Sequence, residues 1–254
     1  MRSRYEVWLN NIALSSIDPK ILILDIRYMT PPVTNSGYTL AGRHGSYLYR
    51  RYVEKASVGV QFAIRAYNTA ERQAVCAEVA KWAKKGGVLQ SSDRPGQRLR
   101  CVCESFPAVS SVLGWTDTLQ MVFTAFSLPF WEEELEKTLT LTGTSASGSL
   151  YVPGNIDGAL IGASIKANAA LSSVNLTANG KTLSLTGLSV SSGQIINITY
   201  DDALIQSIKV GSTSLLNKRT GADDLVAKCG ENNALSMSAS ASVGATFKVR
   251  GLWL

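Results

Sequence analysis

Histidine is almost absent from this sequence, with one in 254 residues, His44. A Ser-His-Asp or Cys-His mechanism needs a base that titrates near neutral pH, so any such chemistry here must run through His44. Its setting, Ala41-Gly42-Arg43-His44-Gly45, is what a solvated loop also carries, and no Gly-x-Ser-x-Gly elbow occurs. Cysteine is scarce as well. Cys76, Cys101, Cys103 and Cys229 include no Cys-x2-Cys spacing, and Cys101-x-Cys103 places two thiols on one face of a strand, far along the chain from other ligands. Free thiols, mostly buried as small hydrophobes, are the expectation, with no metal. Long apolar runs are missing too. The uncharged stretch Thr182–Tyr200 is rich in Thr, Ser, Gly and Asn and alternates, so no membrane span is expected. The N-terminus has an early Arg pair, Arg2 and Arg4, but Glu6 and Asn10–Asn11 then interrupt any apolar h-region, so no secretory leader is expected.

What remains is an ordinary globular composition: 45% hydrophobic, 17% charged and a net charge of +6. That balance excludes a disordered chain and is too mild for a histone-like protein; it fits a surface facing acidic partners. Gly143–Ser149 has the glycine spacing of a phosphate loop without its lysine, and reads as a flexible turn. Glu132-Glu133-Glu134 with Glu136 reads as a solvated charge run. Asp201-Asp202 and Asp223-Asp224 flank strand-like segments, where calcium ligation and turn formation are both open and turns are commoner. No active site and no cofactor emerge.

Composition changes near residue 137. Of 5 Trp, 9 Tyr and 6 Phe, all but Tyr151, Tyr200, Phe247 and Trp253 precede residue 138. This places a domain boundary there, giving domains 1–137 and 138–254. In the first, Ile21–Met29, Ser57–Arg65, Arg98–Glu104 and Leu119–Leu128 read as strands. Between the first two, Thr30–Ala56 reads as a long loop. A helix is expected over 69–85: Asn68 can cap it with Glu71 three residues on, Val75, Val79 and Trp82 share a face, and Lys84-Lys85-Gly86-Gly87 closes it. In the second, eight short segments follow at spacings near ten residues: Leu160–Lys166, Val174–Thr177, Thr182–Leu185, Ile195–Tyr200, Ile205–Val210, Leu225–Ala227, Leu235–Ser240 and Thr246–Leu252. Asn179-Gly180 marks a hairpin, and the set predicts an antiparallel β-sandwich.

The most informative stretch is basic and aromatic: Arg27, Tyr28, Tyr38, Arg43, Tyr47, Tyr49, Arg50, Arg51, Tyr52 and Lys55. Arg and Tyr combine rigid contact area with directional donors and dominate protein interfaces. A solvated loop and a single-stranded nucleic-acid surface are weaker readings of the same residues. A protein interface is favoured, because neighbouring strands offer an edge for pairing between subunits.

In that order, Gly42-Arg43-His44-Gly45, Val58-Gly-Val-Gln-Phe62, the capped helix ending Trp82-Ala-Lys-Lys-Gly-Gly87, Tyr151-Val-Pro-Gly-Asn155, Asn179-Gly-Lys-Thr-Leu183, Gly193–Ile198, Gly230-Glu-Asn-Asn233 and Val249-Arg-Gly-Leu-Trp253 run along the chain. The arrangement resembles the distal tail (Dit) proteins of bacteriophages with long, non-contractile tails. The resemblance implies a mainly β fold: an N-terminal tail-tube-like β-domain with one helix, then a C-terminal galectin-like or carbohydrate-module-like sandwich. It implies a structural protein with no catalytic residues, forming a homo-hexameric ring at the virion tail tip after assembly in the host bacterial cytoplasm. The implied partners are the major tail tube protein, the tail-associated hub protein, the tape-measure protein and the receptor-binding apparatus, with no membrane and no specific nucleic acid. The alternative is a carbohydrate-binding protein recognising host cell-wall glycans. Sugar recognition stacks on aromatic rings, and the second half has only four, so the sandwich is expected to be a docking or spacer module.

Overall fold

β-Branched and apolar residues at every second position build most of this chain into antiparallel strands, seen in a computed structural model that describes residues 5–38, 47–66, 68–107, 118–125, 128–201, 203–221 and 224–254. The chain divides into two units, Met1–Trp131 with Leu254, and Glu132–Trp253.

The first unit holds β1 (Val7–Leu9), β2 (Ile12–Ala13), β3 (Ile21–Met29), β4 (Val33–Tyr38), β5 (Tyr47–Val53), β6 (Ser57–Ile64), α1 (Thr69–Ala83), β7 (Gly87–Ser91), β8 (Gln97–Ser105) and β9 (Leu119–Thr124). Seven of them form an antiparallel sheet in the order β2-β1-β7-β8-β9-β6-β3. The alternation of β6 does what its pattern dictates: Val58, Val60, Phe62 and Ile64 are buried, beside Leu119, Met121 and Phe123 of β9. The α1 cap is as expected, with Asn68 Oδ1 accepting from the Glu71 N–H at 2.8 Å. Val75 and Val79 are buried, and Trp82 meets the ring of Phe123 edge-on at 6.0 Å. Arg72 is buried on the same helix, which the apolar pattern did not foretell. At the exit from α1, Asn10 donates to the Gly86 carbonyl at 2.9 Å and accepts from Val88 N–H at 3.0 Å. A Cβ on Gly86 would sit 2.7 Å from the Cys101 carbonyl, so only glycine fits this close approach.

Thr30–Ala56 is not a loop throughout. Its described parts, β4 and β5, pair antiparallel from Val33↔Val53 to Tyr38↔Tyr47, as a two-stranded ribbon separate from the main sheet. Its sequence lacks the apolar alternation of a half-buried strand because most of its described side chains face solvent.

The second unit contains β10 (Trp131–Glu133) from Glu132 onward, then β11 (Lys137–Val152), β12 (Ala159–Leu160), β13 (Gly162–Ala167), β14 (Leu171–Ala178), β15 (Lys181–Val190), β16 (Ile195–Tyr200), β17 (Gln206–Val210), β18 (Thr213–Ser214), β19 (Arg219–Thr220), β20 (Val226–Ala227), β21 (Glu231–Val249) and β22 (Leu252–Trp253). The strand order is β18-β17-β16-β13-β21-β14-β15-β19, with β11 on the opposite side of β21. Two expectations change here. Leu235–Ser240 and Thr246–Leu252 are not separate strands, since β21 runs through the first and on to Val249 in the second. The Gly143–Ser149 run is not a turn: it lies inside β11, where register jumps from Gly143↔Val243 to Ser145↔Ser238. Gly143 has φ +129°, a value that L side chains rarely adopt, and it allows this bulge. Before the irregularity β21 pairs with β14 through Leu235–Ala239; after it, with β13 through Val243–Lys248. One long ribbon thus serves both layers of the sandwich. Leu176, Leu183, Leu185 and Met237 are buried from one layer, and Ile165, Ile196, Ile208 and Phe247 from the other. Asn179 and Gly180 have φ 51° and 83°, forming the expected hairpin turn.

The acidic run is not simply solvated. Glu132 is buried, Arg250 donates to the Glu133 carbonyl at 3.1 Å and approaches Glu136 at 3.4 Å, and Trp253 donates to Glu133 at 3.1 Å.

Candidate assembly surface

The basic-aromatic residues fall into two settings in the first unit. Tyr28 is engaged internally: its hydroxyl lies 2.6 Å from Ser91 Oγ and its ring meets Trp131 edge-on at 5.6 Å. Arg94 stacks over both rings, at 4.8 and 5.1 Å, and donates to the Leu254 carbonyl at 3.2 Å. Burial pushes the Tyr28 phenol above its ordinary pKa, against the hydrogen bond to Ser91. Arg27, one residue earlier on β3, faces outward and pairs with Asp25 at 2.9 Å.

The ribbon carries the second setting. Leu48, Arg50 and Tyr52 alternate along β5, and Arg50 lies over the Tyr52 ring at 5.0 Å. Leu48 is 60% exposed, and Tyr52, Val33 and Tyr38 are exposed with it. Met29, at the end of β3, is exposed as well. Tyr47, Tyr49 and Arg51 belong to β5. Lys55 lies 3.6 Å from Glu104. Arg43 and His44 lie outside the described residues. The ribbon thus shows solvent several large apolar and aromatic groups, with Arg50 between Leu48 and Tyr52, which is the composition of a contact surface. A lone two-stranded hairpin is only marginally stable in water, so a ribbon of this kind gains from a neighbouring surface.

Among the described residues no group of three His, Cys, Asp or Glu is placed to hold a metal. Asp201 Oδ1 accepts from Ala203 and Ile205 N–H at 2.9 and 2.8 Å, a turn-forming role, and Asp224 pairs with Arg219 at 3.2 Å. Cys76, Cys101 and Cys229 are buried free thiols, and burial pushes Cys101 up to about 12. Of the four aromatics of the second unit, Phe247 is buried, Trp253 is tied to Glu133, and Tyr200 accepts from Gln206 at 2.8 Å; Tyr151 alone is well exposed. Among the described residues no helix is long and apolar enough to cross a membrane.

No protein-family model and no curated protein matches the chain. The likeness is in three dimensions. The crystal structure of phage SPP1 Dit, presented as a paradigm of the hub adsorption apparatus in phages infecting Gram-positive hosts, matches 97% of this chain and 98% of its own, with TM-score 0.73 at 12% identity. Structures of the phage p2 baseplate in its activated conformation, with Sr and with Ca, each match over 97% of both chains at 9% identity, with TM-scores of 0.52 and 0.51. The chain has the Dit fold over nearly its whole length, helix and sandwich included.

Proposed function

We propose that this protein is a structural component of a phage tail tip: a hub protein whose copies form a hexameric ring, joining the tail tube to the tail-tip hub and the receptor-binding apparatus. The observation that carries the reading is the near-complete coverage by the SPP1 Dit fold in a chain whose first unit also offers an exposed, apolar-aromatic ribbon. In a closed cyclic ring the contact is heterologous, so the ribbon with Arg27 and the residues from Arg43 to Lys55 meets a different patch on the next copy. Domains 1–137 and 138–254 take ring-forming and accessory roles respectively. The tube protein, the hub protein and the tape-measure protein are the partners of the assembled ring, formed in the host cytoplasm and carried in the virion. Chemistry is not part of the role.

The glycan-binding alternative needs aromatic platforms on the sandwich, and Tyr151 is the single well-exposed ring there. The test is the native mass of the chain mixed with its tube partner, for the wild type and for a double variant, Arg50→Glu with Tyr52→Glu. The wild type is expected as a closed cyclic oligomer and the variant as smaller species. Wild type that stays at 27.2 kDa with the tube partner present defeats the proposal.

A further inference from the structure

Sheet edges in the sandwich are treated unequally. One end of the strand order is β18 and the other is β19, each two residues long, and β19 carries Arg219. Short and charged edges discourage pairing with another chain. The longest edge is β11, which borders both layers, runs for 16 residues and, among the described residues, pairs only with β21. From Thr138 to Ile156 the chain carries no charge, and no proline interrupts it before Pro153. The inner face of β11 is also only partly covered, with Leu141 and Val152 buried but the rest less so. Leu139, Ala146, Gly148 and Leu150 are only half-buried, whereas their partners Phe247, Met237, Leu235 and Asn233 on β21 are buried. A row of unpaired backbone groups beside a partly uncovered apolar interior is what one added strand would complete.

We propose that β11 is a self-pairing edge, on which the β11 of a second copy adds antiparallel and joins two sandwiches. The sequence of β11 is complementary to itself in this direction. With the two strands centred on Thr144 and Ser145, Leu139 faces Leu150, Leu141 faces Gly148, Thr140 faces Ser149 and Thr142 faces Ser147. Apolar residues meet on the inner face and hydroxyls on the outer, the pairing that stabilises antiparallel neighbours. Gly148 already lies beside Leu139 and Leu141 within one copy: a Cβ built on it would sit 3.1 and 3.2 Å from their methyl groups. The only cation in the paired stretch, Lys137, falls at opposite ends of the two strands, so this chain of net charge +6 meets itself along a neutral seam. The inference is independent of the ring contact, which is proposed for Arg27 and the stretch from Arg43 to Lys55.

The experiment uses the full chain carrying Arg50→Glu and Tyr52→Glu, which removes the proposed ring contact. In sedimentation equilibrium up to ~100 μM, this protein is expected at twice 27.2 kDa, and adding Leu150→Lys is expected to return it to 27.2 kDa. The lysine points inward at the open edge, the device by which natural edges repel a partner strand. Hydrogen exchange on the wild-type chain gives a second reading that needs no substitution. Alternate amides of Thr138–Tyr151 are expected to gain at least about tenfold protection between dilute and concentrated samples. A mass of 27.2 kDa at every concentration, a pair that survives Leu150→Lys, or concentration-independent exchange along β11 each overturns the proposal. Rings that form normally beside any of these results leave the functional reading standing. Pairs that form through β11 without any ring uphold the self-pairing edge and count against the ring.

Discussion

Replacing Asn233 with leucine is expected to loosen the second unit far more than its single side chain suggests. The residue is 1% exposed and its amide is fully used. Oδ1 accepts from Asn179 Nδ2 at 2.7 Å and from Lys228 N–H at 2.8 Å, while Nδ2 donates to the Lys228 carbonyl at 2.9 Å and the Glu231 carbonyl at 3.2 Å, with a longer contact to the Leu150 carbonyl at 3.4 Å. This amide fastens the turn before β21 to the β14–β15 hairpin. The four shorter bonds at a net 0.5–1.5 kcal/mol each give roughly 2–6 kcal/mol. Lys228 and Glu231 are exposed, so water recovers part of the loss, and about 3 kcal/mol is the expected cost. For a chain of this size that is a fall in Tm of about 6–12 °C. Native-state hydrogen exchange of β21 amides reads the second unit by itself and is the assay of choice. Asn233→Asp sharpens the test. Its carboxylate keeps both accepted bonds but puts an oxygen where the amide nitrogen met the carbonyls of Lys228, Glu231 and Leu150, so the folded protein favours the protonated acid and raises its pKa. The variant's stability is then highest below the unfolded carboxyl value near 3.9 and is lost as pH rises through the folded value. A Leu variant that loses less than about 1 kcal/mol, or an Asp variant no more stable at pH 4 than at pH 7 relative to wild type, refutes the reasoning.

Other outcomes follow from single contacts. Tyr200 is held neutral up to about 12, chiefly by burial and further by the charge of Asp224, against the hydrogen bond from Gln206. Between about pH 10 and 12 the unfolded chain ionises this phenol while the folded chain does not, so stability falls as pH rises through that window. After allowance for its solvent exposure the loss is about 1–2 kcal/mol; a urea series should show it, and Tyr200→Phe should flatten it. Asn68→Ala should cost about 1 kcal/mol by removing the α1 cap, whereas Asn68→Asp should cost little; equal losses in thermal melts would deny the cap its role. The Cys101 thiol should resist alkylation at pH 8 until urea is added, with half-exposed Cys103 modified first, as peptide mass mapping can verify.

Much of this architecture is legible in alternation. β3, β6 and β8, the Asn68 cap and the Asn179-Gly180 turn announce themselves because each buries one face or meets a specific backbone demand. The elements that escaped do neither. The ribbon exposes most of what can be described of it, so Thr34-Asn35-Ser36-Gly37 offers no apolar period to find. Gly143–Ser149 looks like a turn because small hydroxyl residues suit both a turn and an edge strand that bulges. The break between Ser240 and Thr246 marks the stretch of β21 at the register jump, where pairing lapses without the strand ending. Asn10-Asn11, with φ 51° and 65°, forms the hairpin turn between β1 and β2, a signal that the polarity of the pair conceals. At the surface, composition picked out Arg50 and Tyr52, which the structure brings together, and also Tyr28, whose ring turns inward to Trp131. Residue type reports the capacity for contact; which side of the strand a tyrosine occupies depends on pairing that sequence spacing alone does not carry.

The central claim, that copies of this chain act by joining into a ring, is tested most directly by electron microscopy of the purified protein mixed with its tube partner. Closed rings of six copies are the predicted result, with the residues from Arg43 to Lys55 at the seam between neighbours. Single molecules on every grid, or rings whose seams leave that stretch facing solvent, would contradict it.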